Sequence, residues 1–240
     1  MALVLLMQRY GFKIEPHTLG LLKDAIKLNM LEVVQPQRVR DEVILLLKEY
    51  NPIRAIKRLN SLVGLKFINV SLNLDNADFA LFRNISREIS GFNKNYPGLR
   101  RLDPWLIYFC AMIHNLSLKN SIEICRKFVF RKGEEKRIIA YKKINREFIR
   151  KLCDKKIKFS GIYRLLEPQS YEVILMLKAG FANNVLSKNI DHFFSRLSTT
   201  RIHTSGNDLR ELGLKPGPHY QKIFRQLLDA KLDNKVRNKS

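Results

Sequence analysis

The chain has 240 residues, of which 44 are lysine or arginine and 22 are aspartate or glutamate, so its net charge is +22. Such an excess predicts a polyanionic partner and favours nucleic acid over an anionic membrane surface. Hydrophobic residues make up 45% of the chain, which excludes a disordered protein, and no apolar run reaches the ~20 residues that span a bilayer.

Helix signals recur along the chain. Asn51 and Asp103 each precede a proline, the pattern of an N-cap followed by proline at the first helical position. Asn120, with Glu123 three residues later, resembles a capping box. Hairpin signals such as Asn-Gly and Asp-Gly are missing from the sequence. The sequence therefore predicts an all-α fold of about a dozen helices, many of them short.

Composition divides the chain into three zones, 1–75, 76–198 and 199–240. The middle zone holds the main basic block, since residues 119–164 contain 16 Lys/Arg and 5 Asp/Glu. Its cations recur at helical spacing, so we expect several to share a face that follows a phosphate backbone. The alternative is a solvated helix face. The cations that recur at this spacing are Lys142, Lys143, Arg146, Arg150 and Lys151.

Residues 206–220 read Gly-x-Asp-Leu-x-x-Leu-Gly-Leu-x-Pro-Gly-Pro-x-Tyr. Glycine and proline at these spacings predict two short helices joined by a tight turn. Backbone N–H groups at the start of a helix form a favourable site for a phosphate.

No catalytic motif is recognisable. The chain has no P-loop, Gly-x-Ser-x-Gly or His-Glu-x-x-His sequence. None of its five histidines has metal-ligand spacing, and Asp75 and Asp78 are expected in a loop and a helix cap. The three cysteines include no Cys-x-x-Cys pair, which is typical of reduced thiols in a cytoplasmic protein, and Cys110 and Cys125 are expected in the core.

Five segments, in this order, resemble one family. They are residues 9–18 (RYGFKIEPHT), 37–43 (QRVRDEV), 59–68 (LNSLVGLKFI), 101–106 (RLDPWL) and the run 206–220. Together they resemble the class II tRNA nucleotidyltransferases, the CCA-adding enzymes and their bacterial poly(A) polymerase relatives. The similarity extends over essentially the whole chain.

The resemblance implies an elongated neck, body and tail arrangement without the catalytic head. Zone 1–75 would be the neck, adjacent to the missing head and RNA-binding, zone 76–198 the body and zone 199–240 the tail. The head's metal-binding carboxylates and the neck's nucleotide-selecting Glu-Asp-x-x-Arg motif have no counterpart in the sequence. We therefore expect no catalytic residue, metal site or cofactor in this chain, with Mg²⁺ and CTP or ATP belonging to the head, and no nucleotide addition by the chain alone. A truncated gene product, a split-gene subunit and a fragment would each account for this.

The resemblance further implies that body and tail hold the acceptor and TΨC arms of tRNA for CCA or A addition at the 3′ end. Alternatives are a subunit active only with a separate head polypeptide and a degenerate protein-interaction scaffold; a membrane partner is disfavoured. The expected RNA-binding residues are Lys136, Arg137, Lys142, Lys143, Arg146, Arg150, Lys151, Arg210, Lys215, Gly217 and Tyr220. Asp208 is expected to cap a helix. The neck residues Arg9, Arg38 and Glu42 are expected to be structural or to face the head. Arg38 and Glu42 are expected to pair with each other or with the head.

Overall fold

A computed structural model of the chain describes residues 13–28 and 30–236. This part of the chain is all-α, as predicted, and contains no β-strand. Two short 3₁₀ segments, Met30–Glu32 and Leu197–Thr199, lie between the α-helices. In chain order the helices are α1 (Pro16–Lys27), α2 (Pro36–Leu47), α3 (Pro52–Leu62), α4 (Asn76–Asn95), α5 (Pro104–Met112), α6 (Leu118–Lys127), α7 (Lys132–Lys142), α8 (Arg146–Leu152), α9 (Phe159–Leu166), α10 (Tyr171–Gly180), α11 (Asn184–Ser195), α12 (Gly206–Glu211) and α13 (His219–Leu232).

The predicted caps are partly confirmed. Asn51 caps α3 by accepting a hydrogen bond from the backbone N–H of Arg54 at 3.1 Å. Asp103 stands at the N-cap of α5 but makes no side-chain cap. The capping box at Asn120 is wrong, because the hydroxyl of Ser117 accepts from the Asn120 N–H and starts α6 three residues earlier.

The described chain forms two compact units. The first unit contains the chain up to Ile144 together with Tyr171–Gly180, and the second contains Asn145–Ser170 and the chain from Phe181 onward. Helix α10 belongs to the first unit although the chain on either side of it belongs to the second. Seven of its ten residues are buried, as expected of a helix that is apolar on nearly all sides and must be surrounded. These boundaries differ from the zones 1–75, 76–198 and 199–240, which remain a prediction.

The core of the first unit is built around α5 and α10. All eight residues from Trp105 to Met112 are buried, and α10 packs against α4, α5 and α7. Cys110 and Cys125 lie in this core as expected, and burial raises the pKa of each thiol to about 12.

A buried carboxylate, Glu172, connects three segments of the first unit. Its side chain is 1% exposed and accepts two hydrogen bonds from the guanidinium of Arg100, at 3.0 and 2.8 Å. It also accepts from the backbone N–H of Asp103 at 3.0 Å, and Arg137 lies 3.5 Å away. Burial has the largest influence and raises the pKa of Glu172, but the hydrogen bonds from Arg100 and Asp103 outweigh it and lower that pKa to about 2.

In the second unit, α9 packs against α8, α11 and α13. The backbone N–H and hydroxyl of Ser160 both donate to Asp233, at 2.9 and 3.0 Å, and Arg164 pairs with Asp229. These contacts fix the C-terminal half of α13, so the segment that follows the Gly/Pro turn is anchored to a packed helix.

We predict that Glu172→Gln lowers the free energy of unfolding at pH 7 by about 2 kcal/mol, because the buried carboxylate loses its charge-assisted hydrogen bonds while water screens the half-exposed Arg100. The folded pKa lies below the ordinary 4.5. The stabilisation is therefore present above pH 4.5 and is lost as pH falls from about 4.5 towards 2. Denaturant unfolding of both proteins at pH 7 and pH 3 measures this difference, which should shrink at pH 3.

Glu147→Gln is the matched control, since Glu147 forms an exposed pair with Lys151 and such pairs contribute little. Equal stability of Glu172→Gln and the unaltered protein at pH 7 would contradict the role given to Glu172.

Candidate nucleic-acid interface

The predicted basic face is interrupted between Lys142 and Arg146. Helix α7 ends at Lys142, and Asn145 has an extended backbone and accepts from the Phe148 N–H at 2.8 Å to start α8. The five cations at helical spacing therefore do not share one helix, because Lys142 ends α7 whereas Arg146, Arg150 and Lys151 lie on α8. The block is divided instead: its members up to Lys143 belong to the first unit and those from Arg146 to the second.

Arg137 makes internal contacts. Its guanidinium donates to the carboxylate of Asp103 at 2.6 Å and to the backbone carbonyl of Gly133 at 3.3 Å, and its side chain is 23% exposed. Together with its position 3.5 Å from Glu172, these contacts place it in the ion-pair network of the first unit, where its charge is already balanced.

Lys142 also points inward. Its ammonium donates to the backbone carbonyls of Ile113, His114 and Leu116 at 2.7, 2.8 and 2.7 Å. These carbonyls follow the end of α5, where helix carbonyls lack intrahelical partners. Burial lowers the pKa of Lys142 to about 8, so at pH 7 it remains mainly an ammonium with three protons for three acceptors. The sequence contained a signal for this, since Lys142 lies four residues after the buried Ile138, on the same helix face.

Four of the seven predicted RNA-binding residues of the block are exposed and unpaired within the described residues. These are Lys136, Lys143, Arg146 and Arg150. Lys151 pairs with Glu147 at 2.7 Å, but both side chains are more than half exposed. A pair of this kind is weak, so Lys151 can exchange its partner for another anion.

The tail turn is held by its own residues. The hydroxyl of Tyr220 donates to the carbonyl of Leu214 at 2.7 Å, and its ring lies against Gly206. Gly213 has φ +79°, which a side chain would strain, and a Cβ on Gly217 would come within 3.1 Å of the His219 ring. Tyr220, Gly213 and Gly217 thus shape the turn.

The charged residues of the tail have distinct positions. Asp208 caps α12 as predicted, because its carboxylate accepts a hydrogen bond from the Ser205 N–H at 2.6 Å. This bond, and a second one from the Ser205 hydroxyl, lower the pKa of Asp208. Arg210 and Lys215 are exposed and have no ion pair among the described residues. They are two of the cations that the tail presents to solvent.

The neck residues do not form the expected pair. Arg9 lies outside the described residues. Arg38 is exposed, and within the described ranges no ion pair joins it to Glu42, whose Oε2 atom is buried without a hydrogen bond. The arginine of this motif that makes tertiary contacts is Arg40, which sequence reasoning missed. It donates to the carbonyls of Phe128 and Val129 and pairs with Asp41.

Val129 is a β-branched residue with φ +51°, a conformation that glycine usually occupies after a helix. The contacts of Arg40 hold the end of α6 at this point.

In the part of the chain that the structure describes, no group of His, Cys, Asp and Glu side chains has an arrangement that could hold a metal ion. Nor does any described helix combine the length and apolar character required to cross a bilayer.

Comparison with known proteins identifies relatives with this fold, although no family model matches the chain. The Thermotoga maritima CCA-adding enzyme, solved in complex with tRNA, superposes with a TM-score of 0.76 at 21% identity, over 99% of this chain and 57% of the enzyme. A CCA-adding enzyme solved with CTP gives a TM-score of 0.77 at 21% identity, over 98% of this chain and 56% of the enzyme. The all-α fold is thus one that CCA-adding enzymes contain.

A sequence relative agrees. The A-adding tRNA nucleotidyltransferase of Geobacter sulfurreducens is 27% identical over 235 residues, which is 95% of this chain and 26% of that protein. The resemblance to tRNA nucleotidyltransferases inferred from the five motifs is therefore confirmed over nearly the whole chain. The chain spans about a quarter of the curated relative and just over half of the solved enzymes.

We predict that Lys142→Met and Lys143→Met differ sharply in stability. The first removes the side-chain donor from three carbonyls, of which that of Ile113 keeps the Leu116 N–H at 3.0 Å, and it lowers the free energy of unfolding by about 2–3 kcal/mol. The second changes an exposed side chain and stays within about 0.5 kcal/mol of the unaltered protein. Denaturant unfolding at pH 7 measures both, and equal stability of the two variants would refute the structural role of Lys142.

Proposed function

We propose that this chain is the RNA-holding part of a tRNA nucleotidyltransferase and binds the acceptor and TΨC arms of tRNA while CCA or A is added at the 3′ end. Three observations support the proposal: similarity to an A-adding tRNA nucleotidyltransferase over 95% of the chain, a fold contained in a CCA-adding enzyme solved with tRNA, and a net charge of +22.

The observation that carries the proposal is that six of the predicted RNA-binding cations remain exposed and unpaired within the described residues of the two units. The first unit offers Lys136 and Lys143, and the second unit offers Arg146, Arg150, Arg210 and Lys215. Double-stranded RNA has a major groove too narrow for side chains, so its recognition depends on phosphates and 2′-hydroxyls. Cations on flexible, exposed side chains suit such contacts.

The chemistry would be supplied elsewhere. We infer that the metal ions and the incoming CTP or ATP are held by a catalytic head outside these 240 residues. The contribution of this chain would be positional, because holding the arms of tRNA keeps the 3′ end within reach of the nucleotide. A holding function of this kind requires charge and shape, and it does not require acid–base residues in the chain.

We predict that tRNA affinity falls steeply with salt. Six phosphate contacts give a slope of log affinity against log salt steeper than about −4, measured by fluorescence anisotropy of labelled tRNA. Arg146→Gln with Arg150→Gln should reduce the magnitude of this slope by about 1–2, because two phosphate contacts are lost. Lys27→Gln is a control for net charge, since Lys27 is a surface residue near Asp24 and outside the basic block.

A flat salt response would remove the RNA-holding function and favour the protein-interaction scaffold. A double variant that keeps the full slope would place the RNA contacts elsewhere on the chain.

A second candidate is a subunit of a split enzyme that is active only with a separate head polypeptide. It is favoured by the exposed apolar side chains of the N-terminal region, Leu21, Leu28 and Val33, which are 58, 72 and 78% exposed. Exposed apolar groups close in sequence are typical of protein-interaction sites.

We predict that the purified chain does not add CMP or AMP to tRNA and that a head polypeptide supplied in trans restores addition. Incorporation of radiolabelled CTP or ATP into tRNA lacking its 3′ end measures this. Leu28→Ser with Val33→Ser should weaken restoration in the split-enzyme case, whereas Val70→Ser, also at an exposed valine, should not. Incorporation by the chain alone would contradict the proposal.

A further inference from the structure

A cleft of about 270 Å³ lies in the first unit, beside the turn between α2 and α3. Its apolar wall includes Trp105 and Tyr108, which are 5 and 3% exposed. Its polar lining residues are Lys48, Glu49, Ser86 and Ser90, of which Lys48 and Ser90 are exposed. With a water occupying ~30 Å³ in the liquid, the cleft has room for a single ring system and none for a helix or a strand.

Tyr50 lines this cleft and is fully exposed, more than any other large hydrophobic residue of the described chain. An aromatic ring of this size is normally at least half covered, because its burial is strongly favourable. The turn that carries it is well defined: Asn51 caps α3 and Pro52 occupies the first helical position. The ring is therefore presented on an ordered backbone, which reduces the entropy lost when a partner stacks on it.

We propose that this cleft receives one unpaired nucleobase of the bound RNA, which stacks on the ring of Tyr50. The inference rests on the proposed function, because it assigns a further contact to the same RNA. Stacking on an aromatic side chain accepts any base, and the Ser90 hydroxyl can donate to or accept from the edge of that base. The ammonium of Lys48, exposed and unpaired within the described residues, suits the adjoining phosphate.

An apolar side chain of a protein partner is the other possible occupant. The cleft fits it less well, since its lining carries an ammonium, a carboxylate and hydroxyl groups and the whole chain is strongly basic. Part of the polar lining is already committed, because the Ser86 hydroxyl bonds to Tyr108. This bond leaves Ser90 as the hydroxyl that is available to the base.

Trp105 is the one tryptophan of the sequence, so intrinsic fluorescence reports directly on the cleft. Titration with tRNA, and separately with a short single-stranded oligoadenylate, should give a saturable change in Trp105 emission. Tyr50→Leu should weaken oligoadenylate binding by about five- to a hundred-fold, the range of one base–aromatic stack. Tyr50→Phe should bind like the unaltered protein, because stacking needs only the ring.

Val70→Ala is the matched control, since Val70 is an exposed hydrophobic residue outside the cleft. Tyr50→Leu should keep its thermal midpoint and the slope of tRNA affinity against salt, because stacking releases no counterions. If the unaltered protein binds tRNA with a steep slope while Trp105 emission and Tyr50→Leu affinity are unchanged, the cleft proposal is overturned and the proposed function stands. If no salt-dependent tRNA binding occurs at all, the proposed function itself fails.

Discussion

The buried carboxylate of Glu172 determines the arrangement of the first unit. A charge with 1% of its side chain exposed persists in a protein interior only when its hydrogen-bonding capacity is satisfied. Arg100 and the backbone N–H of Asp103 do this directly, and Arg137 completes the charge balance. One carboxylate thus ties α10, the loop before α5 and α7 together.

Internal hydrogen bonds and ion pairs separate the cations that hold the fold from those that are exposed. Arg137 is paired with Asp103 and Lys142 is enclosed by three carbonyls, whereas Lys136 and Lys143, close to them in sequence, are exposed. The count of 44 lysines and arginines therefore overstates the number of cations available to a polyanion. The proposed RNA contacts follow from this division, and the cations of each compact unit contribute to them separately.

Much of the fold could be predicted because its signals are local. Helical spacing, the Asn51 cap and the Asp208 cap depend on residues within one or two turns of each other. The partner of Glu172 is 72 residues away in sequence, and only tertiary packing brings the two together. The break after Lys142 was missed because Lys142 and Arg146 have the spacing of one continuous helix. The left-handed backbone at Val129 could not be predicted, because glycine, the residue that usually indicates this conformation, is not at that position.

Protection of lysines from acetylation tests the division of cations most directly. The free chain and its tRNA complex would be treated with an acetylating reagent, and each lysine quantified by mass spectrometry. The account predicts that Lys136, Lys143 and Lys215 react in the free protein and are protected by tRNA, while Lys142 reacts slowly in both because its ammonium is held by three carbonyls. Fast acetylation of Lys142 in the free chain, or unchanged reactivity of the other three in the tRNA complex, would contradict it.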